Sequence, residues 1–242
     1  MKELELTKNY QLRTADFDRY GRIQPSSVLD VFQDVASLQA TDMGIGPLHV
    51  AADGYFWVVV RTKYEVVQPP ALHQDVRART WLYSPTKLGF QRDYQIFDLD
   101  GNVLVKGNSE WVLMSRETRT FVPLTQYYKG PTNFSEDRAF PTKTRKVRNF
   151  DETGLRPYVA VPTFSDADVN GHVNNTHYAT FAVDAFEPTE QQAIKTFQID
   201  WRHEVLAGQP LKIYTSPKDD GLLAKGINAE GETAFACDFV FA

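Results

Sequence analysis

The chain is short of several things, and each shortage removes a class of function. Cys237 is its one cysteine. That excludes an internal disulfide and any metal site built on a cysteine cluster. No apolar run approaches the length of a membrane span. The first residues, Met1 to Leu6, carry two glutamates and no apolar stretch, so neither a signal peptide nor an Arg-rich transit peptide is expected. The default expectation is a soluble cytoplasmic protein. Positive charge is not in excess: the net charge is −5 over 242 residues, which disfavours a nucleic-acid partner. There is no Gly-rich phosphate loop and no G-x-S-x-G elbow. His172 and His177 stand five apart with no third ligand at a metal spacing, so neither a metal nor a cofactor is expected.

What is present is a soluble-globular composition, 42% hydrophobic and 13% aromatic, in a chain long enough for one large domain or two small ones. Residues 9–14 read as a short strand. Val28, Phe32, Val35 and Ala36, with Leu29 beside them, form one apolar helical stripe. Pro25 and Ser26 suit the first turn of that helix. It should end near Gly44, with Gly46 and Pro47 as punctuation. Strands follow over 55–68, 74–84, 87–98 and 103–115, joined at Ser84 to Thr86 and at Asp98 to Asn102. Hairpin-joined strands after one long helix predict an antiparallel sheet wrapped around its helix.

Residues 129–150 break the pattern with Gly130, Pro131, Pro141 and a basic run, and read as a linker between a domain over 1–128 and another over 151–242. Past it the layout returns: a polar loop, a helix to about Phe186, then strands over 194–205, 210–217, 221–229 and 232–241. Asp16, Asp18, Gly21 and Ile23 align with Asp166, Asp168, Gly171 and Val173 at a constant offset of 150. Lys63 and Tyr64 align with Asp200 and Trp201 at an offset of 137. Two copies of one unit are implied. The copies differ in their polar residues. Asn170 and His172 replace Tyr20 and Arg22, and His203 and Glu204 replace Val66 and Val67. One working site per chain is therefore expected, on the second copy.

The second polar loop, Asp166 to Asn175, feeds a helix marked by Tyr178, Phe181, Ala182 and Ala185, with Asn174 or Asn175 as its N-cap. Free backbone N–H groups at such an end can receive developing negative charge. Taken singly, Asp168 is an ordinary turn residue, Asn170 a left-handed turn residue beside Gly171, His172 a half-buried surface histidine and Glu204 a solvent-facing strand residue. Taken together, and complete in one copy, they form a candidate site.

Asp168 to Asn175, then Tyr178, resembles the signature of the acyl-ACP thioesterases, the plant fatty-acyl enzymes and their bacterial relatives. Asp200 to Glu204 resembles that family's second catalytic segment. The likeness spans nearly the whole chain. It implies an α+β double hotdog fold, two tandem antiparallel sheets each around a long helix, with the acyl chain entering the first domain and the chemistry on the second. It maps the catalytic set to Asp168, Asn170, His172 and Glu204. Many plant members carry a cysteine directly after that glutamate; here it is Val205, which removes a thiol nucleophile from that position.

The implied activity is hydrolysis of acyl-acyl carrier protein in fatty acid biosynthesis. Glu204 would serve as general base, which requires partial burial, or as a nucleophile forming a mixed anhydride. Asn170, His172 and the helix N-terminus would polarise the carbonyl, and Asp168 would hold the loop or a neighbour in register. The acyl chain would meet Val28, Phe32, Trp57 and Val59, residues that also suit an ordinary core. The partner would be an acidic carrier protein bearing acyl-phosphopantetheine, received by Lys143, Arg145, Lys146 and Arg148. A hotdog hydratase and a non-catalytic acyl-thioester binder are the rival functions. Either a monomer or a homodimer is compatible with two units in one chain.

Overall fold

The computed structural model describes residues 4–168 and 171–242. Its elements are β1 (Glu5–Gln11), α1 (Pro25–Asp42), α2 (Pro47–Ala52), β2 (Tyr55–Val66), β3 (Asp75–Leu82), β4 (Gly89–Asp98), β5 (Val103–Ser115), β6 (Phe121–Val122), α3 (Leu124–Tyr127), β7 (Tyr158–Ala160), α4 (His177–Asp184), β8 (Ile194–Trp201), β9 (Leu211–Lys218), β10 (Gly221–Ile227) and β11 (Thr233–Phe241). No helix among the described residues is long and apolar enough to cross a membrane.

The strand order is β1-β3-β4-β5-β2-β8-β11-β10-β9-β7, with β6 beside β5, and every pairing is antiparallel. Outward from the centre, β2-β5-β4-β3-β1 on one side is answered by β8-β11-β10-β9-β7 on the other. The repeat expected from sequence is thus two five-stranded units. They fuse into one continuous sheet along β2 and β8, where Thr62 stands opposite Ile199, its counterpart at the offset of 137.

Helix α1 buries the expected stripe, Val28, Leu29, Phe32, Val35 and Ala36, against the sheet. Burial of the four larger side chains supplies on the order of 2 kcal/mol each at full transfer, and that of Ala36 less than half as much. Phe32 stacks on Tyr94 with ring centroids 4.2 Å apart. It lies over Gly107, where an added Cβ would stand 2.3 Å from the ring, so this glycine lets the helix seat. The helix ends where left-handed Gly44 (φ +75°) turns the chain and the Ile45 N–H reaches the Ala40 carbonyl, 2.9 Å. Gly46 and Pro47 are more than punctuation: Pro47 opens α2, since a proline fits the first turn of a helix. The second unit's helix, α4, has only eight residues, so the long helix expected in both units exists only in the first.

The 139–152 segment crosses the side of the sheet away from α1 and is pinned by buried charges. Asp93 on β4 accepts from the Ala139 N–H. At the seam, Arg61 and Asp200 form a buried two-point ion pair (2.6 and 3.1 Å), and Asp200 also accepts from the Val147 N–H, 2.9 Å. On β10, buried Lys225 donates to the Phe150 carbonyl, 2.6 Å. Each charge is paired or hydrogen-bonded, as burial requires.

Candidate active site

The two polar loops are built alike. In the first, the Asp18 N–H donates to the Arg22 carbonyl (2.8 Å), the Gly21 N–H to the Asp18 carbonyl (3.0 Å) and the Gln24 N–H to the Asp16 carbonyl (2.9 Å). In the second, the same three bonds join Asp168 to His172 (2.8 Å), Gly171 to Asp168 (3.0 Å) and Asn174 to Asp166 (2.8 Å). Gly21 and Gly171 both take positive φ, +72° and +81°, the backbone shape for which glycine is suited. Asp16 and Asp166 each accept from the N–H three residues upstream, closing a short 3-10 turn. Burial alone would raise the Asp166 carboxyl, but hydrogen bonds from Thr163 and His177 outweigh it and hold the carboxyl below the ordinary range.

Glu204 was expected on a strand; it lies just beyond one. After Trp201, the Arg202 and His203 N–H groups both turn to the Ala234 carbonyl, and the ladder ends. The chain then folds back on the loop. The Val173 N–H donates to the Val205 carbonyl (3.0 Å), the Val205 N–H to the Tyr178 hydroxyl (3.1 Å), and the Trp201 indole to the Asn175 carbonyl (3.2 Å). Tyr178 is buried, and burial pushes its phenol well above the ordinary range, so the hydroxyl stays protonated while it accepts this bond. These ties bring His172 Nε2 to 3.2 Å from a Glu204 oxygen.

The partial burial a base requires is missing: the Glu204 side chain is 49% exposed. Instead it meets Arg119, whose Nη2 stands 2.6 Å from both carboxylate oxygens. Arg119 comes from the hairpin after β5, in the first unit, and takes a positive φ of +55°. Nothing in its sequence context marks it, because the contact spans the two units. Asp168 accepts from the His172 N–H, 3.3 Å. Asn170 lies outside the described residues. The helix start also differs from expectation. Thr176 is the N-cap of α4, and Asn174 uses its side-chain oxygen on the Thr176 N–H, 3.2 Å.

A pocket of about 510 Å³ opens beside the loop. Asp168, Asn174 and Asn175 line its loop end, and Ala36, Trp57 and Phe90 are among its apolar walls in the first unit. Of the residues expected to hold an acyl chain, Trp57 lines this pocket, its indole fixed on the Ile45 carbonyl (2.7 Å). Val28 is core. Phe32 and Val59 face a separate small void of about 20 Å³. Lys143, Arg145, Lys146 and Arg148 are exposed, but they border a different cleft, lined by outward residues such as Lys63, Glu110 and Gln198. The pocket and the basic run are therefore on opposite faces of the sheet, and the fold does not bring them together. Among the described residues no cluster of three His, Cys, Asp or Glu could hold a metal ion.

Comparison with known proteins matches this architecture. The family model for the acyl-ACP thioesterase N-terminal domain matches residues 3–129, and that for the C-terminal domain residues 157–240. A chloroplastic palmitoyl-acyl carrier protein thioesterase of Cuphea hookeriana is 26% identical over 83% of this chain and 52% of its own length. A chloroplastic oleoyl-acyl carrier protein thioesterase of Coriandrum sativum is 24% identical over 88% of this chain and 63% of its own. The chain thus spans about half to two-thirds of the length of these relatives. Among solved structures, an acyl-ACP thioesterase from Bacteroides thetaiotaomicron superposes with a TM-score of 0.88 at 20% identity, covering 98% of both chains. A 12:0-ACP thioesterase from Umbellularia californica gives 0.86 at 19% identity, covering 100% of this chain and 98% of that one. At these identities the structures establish a shared fold.

Proposed function

The chain belongs to the acyl-ACP thioesterase family, and from that premise we propose that it hydrolyses the thioester of acyl-acyl carrier protein, releasing a free fatty acid. The observation that carries this reading is the meeting of His172 and Glu204 beside a mostly apolar pocket whose walls belong to the other unit. An acyl chain in the pocket puts its carbonyl at the loop end, near Asp168 and Asn174. Water held by Glu204 attacks the carbonyl carbon, and Glu204 takes the proton. Asn170, His172 and loop N–H groups receive the charge growing on the carbonyl oxygen. The tetrahedral intermediate collapses, the C–S bond breaks, and the departing thiolate recovers a proton from the Glu204–His172 pair. Asp168 sets the loop through His172. Arg119 positions Glu204 and must share it with the attacking water.

The carrier protein is acidic, and it meets exposed Arg116, Arg119 and Arg202 in this reading. Arg116 lines the pocket and the other two flank or touch Glu204. The run Lys143 to Arg148 faces away from the pocket and is a secondary contact at most.

The test is thiol release from purified acyl carrier protein loaded with chains of several lengths, wild type beside Glu204→Ala and His172→Ala. Release by wild type that falls at least roughly a hundredfold in both variants supports the reaction and the site. Release retained by the variants leaves the reaction standing and overturns the site. Binding with no release overturns hydrolysis; an enoyl or hydroxyacyl product would mean a hydratase, and an unchanged acyl group a binder.

A further inference from the structure

One group in the pocket fits poorly with a plain hydrocarbon ligand. Arg92, on β4, lines the pocket yet is only 4% exposed. Its guanidinium donates to Gln39 Oε1 (2.7 Å) and Thr80 Oγ1 (3.1 Å), both neutral. Among the described residues no carboxylate pairs with it; Asp93, next in the chain, belongs to the opposite face of the sheet. A guanidinium has five N–H donors, and here two are used by the protein. Burial pushes Arg92 down to about 10, which still leaves it charged at neutral pH.

The architecture does not demand this charge. Stepping out from the seam by paired residues, Thr62 leads to Ser109 and then to Arg92. The matching walk in the second unit leads from Ile199 to Cys237 and then to Ala224. Alanine suffices at the equivalent place. An unpaired buried charge is unfavourable, so its retention in a pocket wall points to a ligand acceptor. Arg92 also sits at a suitable depth. From β2, which flanks the loop end, to β4 is two strand spacings, roughly 10 Å.

We infer that the pocket takes a medium-length acyl chain bearing an oxygen acceptor, a hydroxyl or a carboxylate, at its distal end, and that Arg92 is the residue that reads it. This rests on the reading of the pocket as the acyl site. A methyl terminus would leave the guanidinium's free donors facing hydrocarbon. A terminal oxygen would satisfy them, and sites built to hydrogen-bond a group discriminate strongly against analogues that lack it.

The experiment compares kcat/KM for decanoyl-, ω-hydroxydecanoyl- and ω-carboxynonanoyl-acyl carrier protein on the full chain. The expected result is at least a tenfold preference of wild type for one of the oxygenated chains, and loss of that preference in Arg92→Met. Which oxygenated chain leads identifies hydroxyl or carboxylate as the acceptor. A wild-type preference of threefold or less, or a preference for the plain chain, overturns the inference whether or not the variant folds. Melting-temperature shifts with the three free acids give the same comparison without turnover. If no substrate releases thiol, the hydrolase reading fails, while a larger shift with an oxygenated acid still supports the role of Arg92 and equal shifts still overturn it.

Discussion

The loops 16–25 and 166–175 share a backbone and differ in what their side chains can reach. In the first, Arg22 stands where the second has His172. It closes on Asp18 (2.8 Å) and crosses to the Thr189 carbonyl (3.0 Å), so this side chain is engaged within the protein. Burial would raise the Asp18 carboxyl, but the N–H groups of Arg22 and Tyr20 and the Arg22 side chain hold it below the ordinary range. In the second, His172 turns toward Glu204, and the carboxylate remains half open to solvent. The first loop also flanks a cavity, of about 630 Å³. Space and backbone are therefore common to both units, and the contact between His172 and Glu204 separates them.

Four expectations bear on that contrast, in descending size. Glu204→Gln should lower kcat/KM by roughly 10²–10⁴-fold, while changing its counterpart, Val67→Gln, should leave steady-state turnover at the wild-type level. Equal losses in both would mean that the units share the chemistry. Next, Asp200→Ala removes the two-point partner of buried Arg61, leaving it the longer Glu110 contact (3.4 Å), and should cost about 3 kcal/mol in denaturant unfolding, with a single transition for both units. Two separate transitions would show that the seam does not couple them.

Third, Arg119→Ala should change kcat/KM by up to about tenfold, through the placement of Glu204, with the change in kcat rather than KM. Unchanged kcat and KM would make Arg119 a bystander. Smallest, Asp93→Asn should flatten the pH dependence of melting between about 4 and 6. Burial raises Asp93 to about 6, so the folded chain holds this proton more tightly than the unfolded chain does. Its contribution is full below the ordinary carboxyl range near ~4 and is lost as pH rises through about 6. Identical wild-type and variant profiles would refute this. Lys225 stands at the corresponding place on β10, so the two units fasten the crossing segment with opposite charges.

Much of this was legible because local chemistry dictated it. The stripe on α1 has one periodicity and one possible face. Asp98 to Asn102 could only turn. The offset of 150 surfaced because glycines and aspartates with fixed backbone duties recur at fixed spacing. The missed features depend on contacts between distant segments. Nothing near Arg119 reveals that it will meet a carboxylate from the other unit. Glu204 falls inside the strand expected over 194–205, because the apolar Val205 beyond it suggests the strand continues; the double capture of the Ala234 carbonyl ends the ladder early. Phe32 and Val59 read equally well as pocket or core, since apolar patterning does not distinguish a wall from a filling. The basic run was visible as charge, but which face of the sheet it would cover depended on Asp93, Asp200 and Lys225.

The shared edge between β2 and β8 also governs how the molecule behaves on dilution. A single five-stranded unit would leave the stretch of β2 from Arg61 to Glu65, which pairs with β8, with an open row of donors and acceptors. Such a unit would hold its shape only while enough copies were nearby to cover that row. Tethering the second unit to the first turns an encounter between molecules into one within a molecule, at an effective concentration on the order of millimolar for a short linker. The pocket is walled by one unit and furnished by the other, so it stays assembled however scarce the protein becomes.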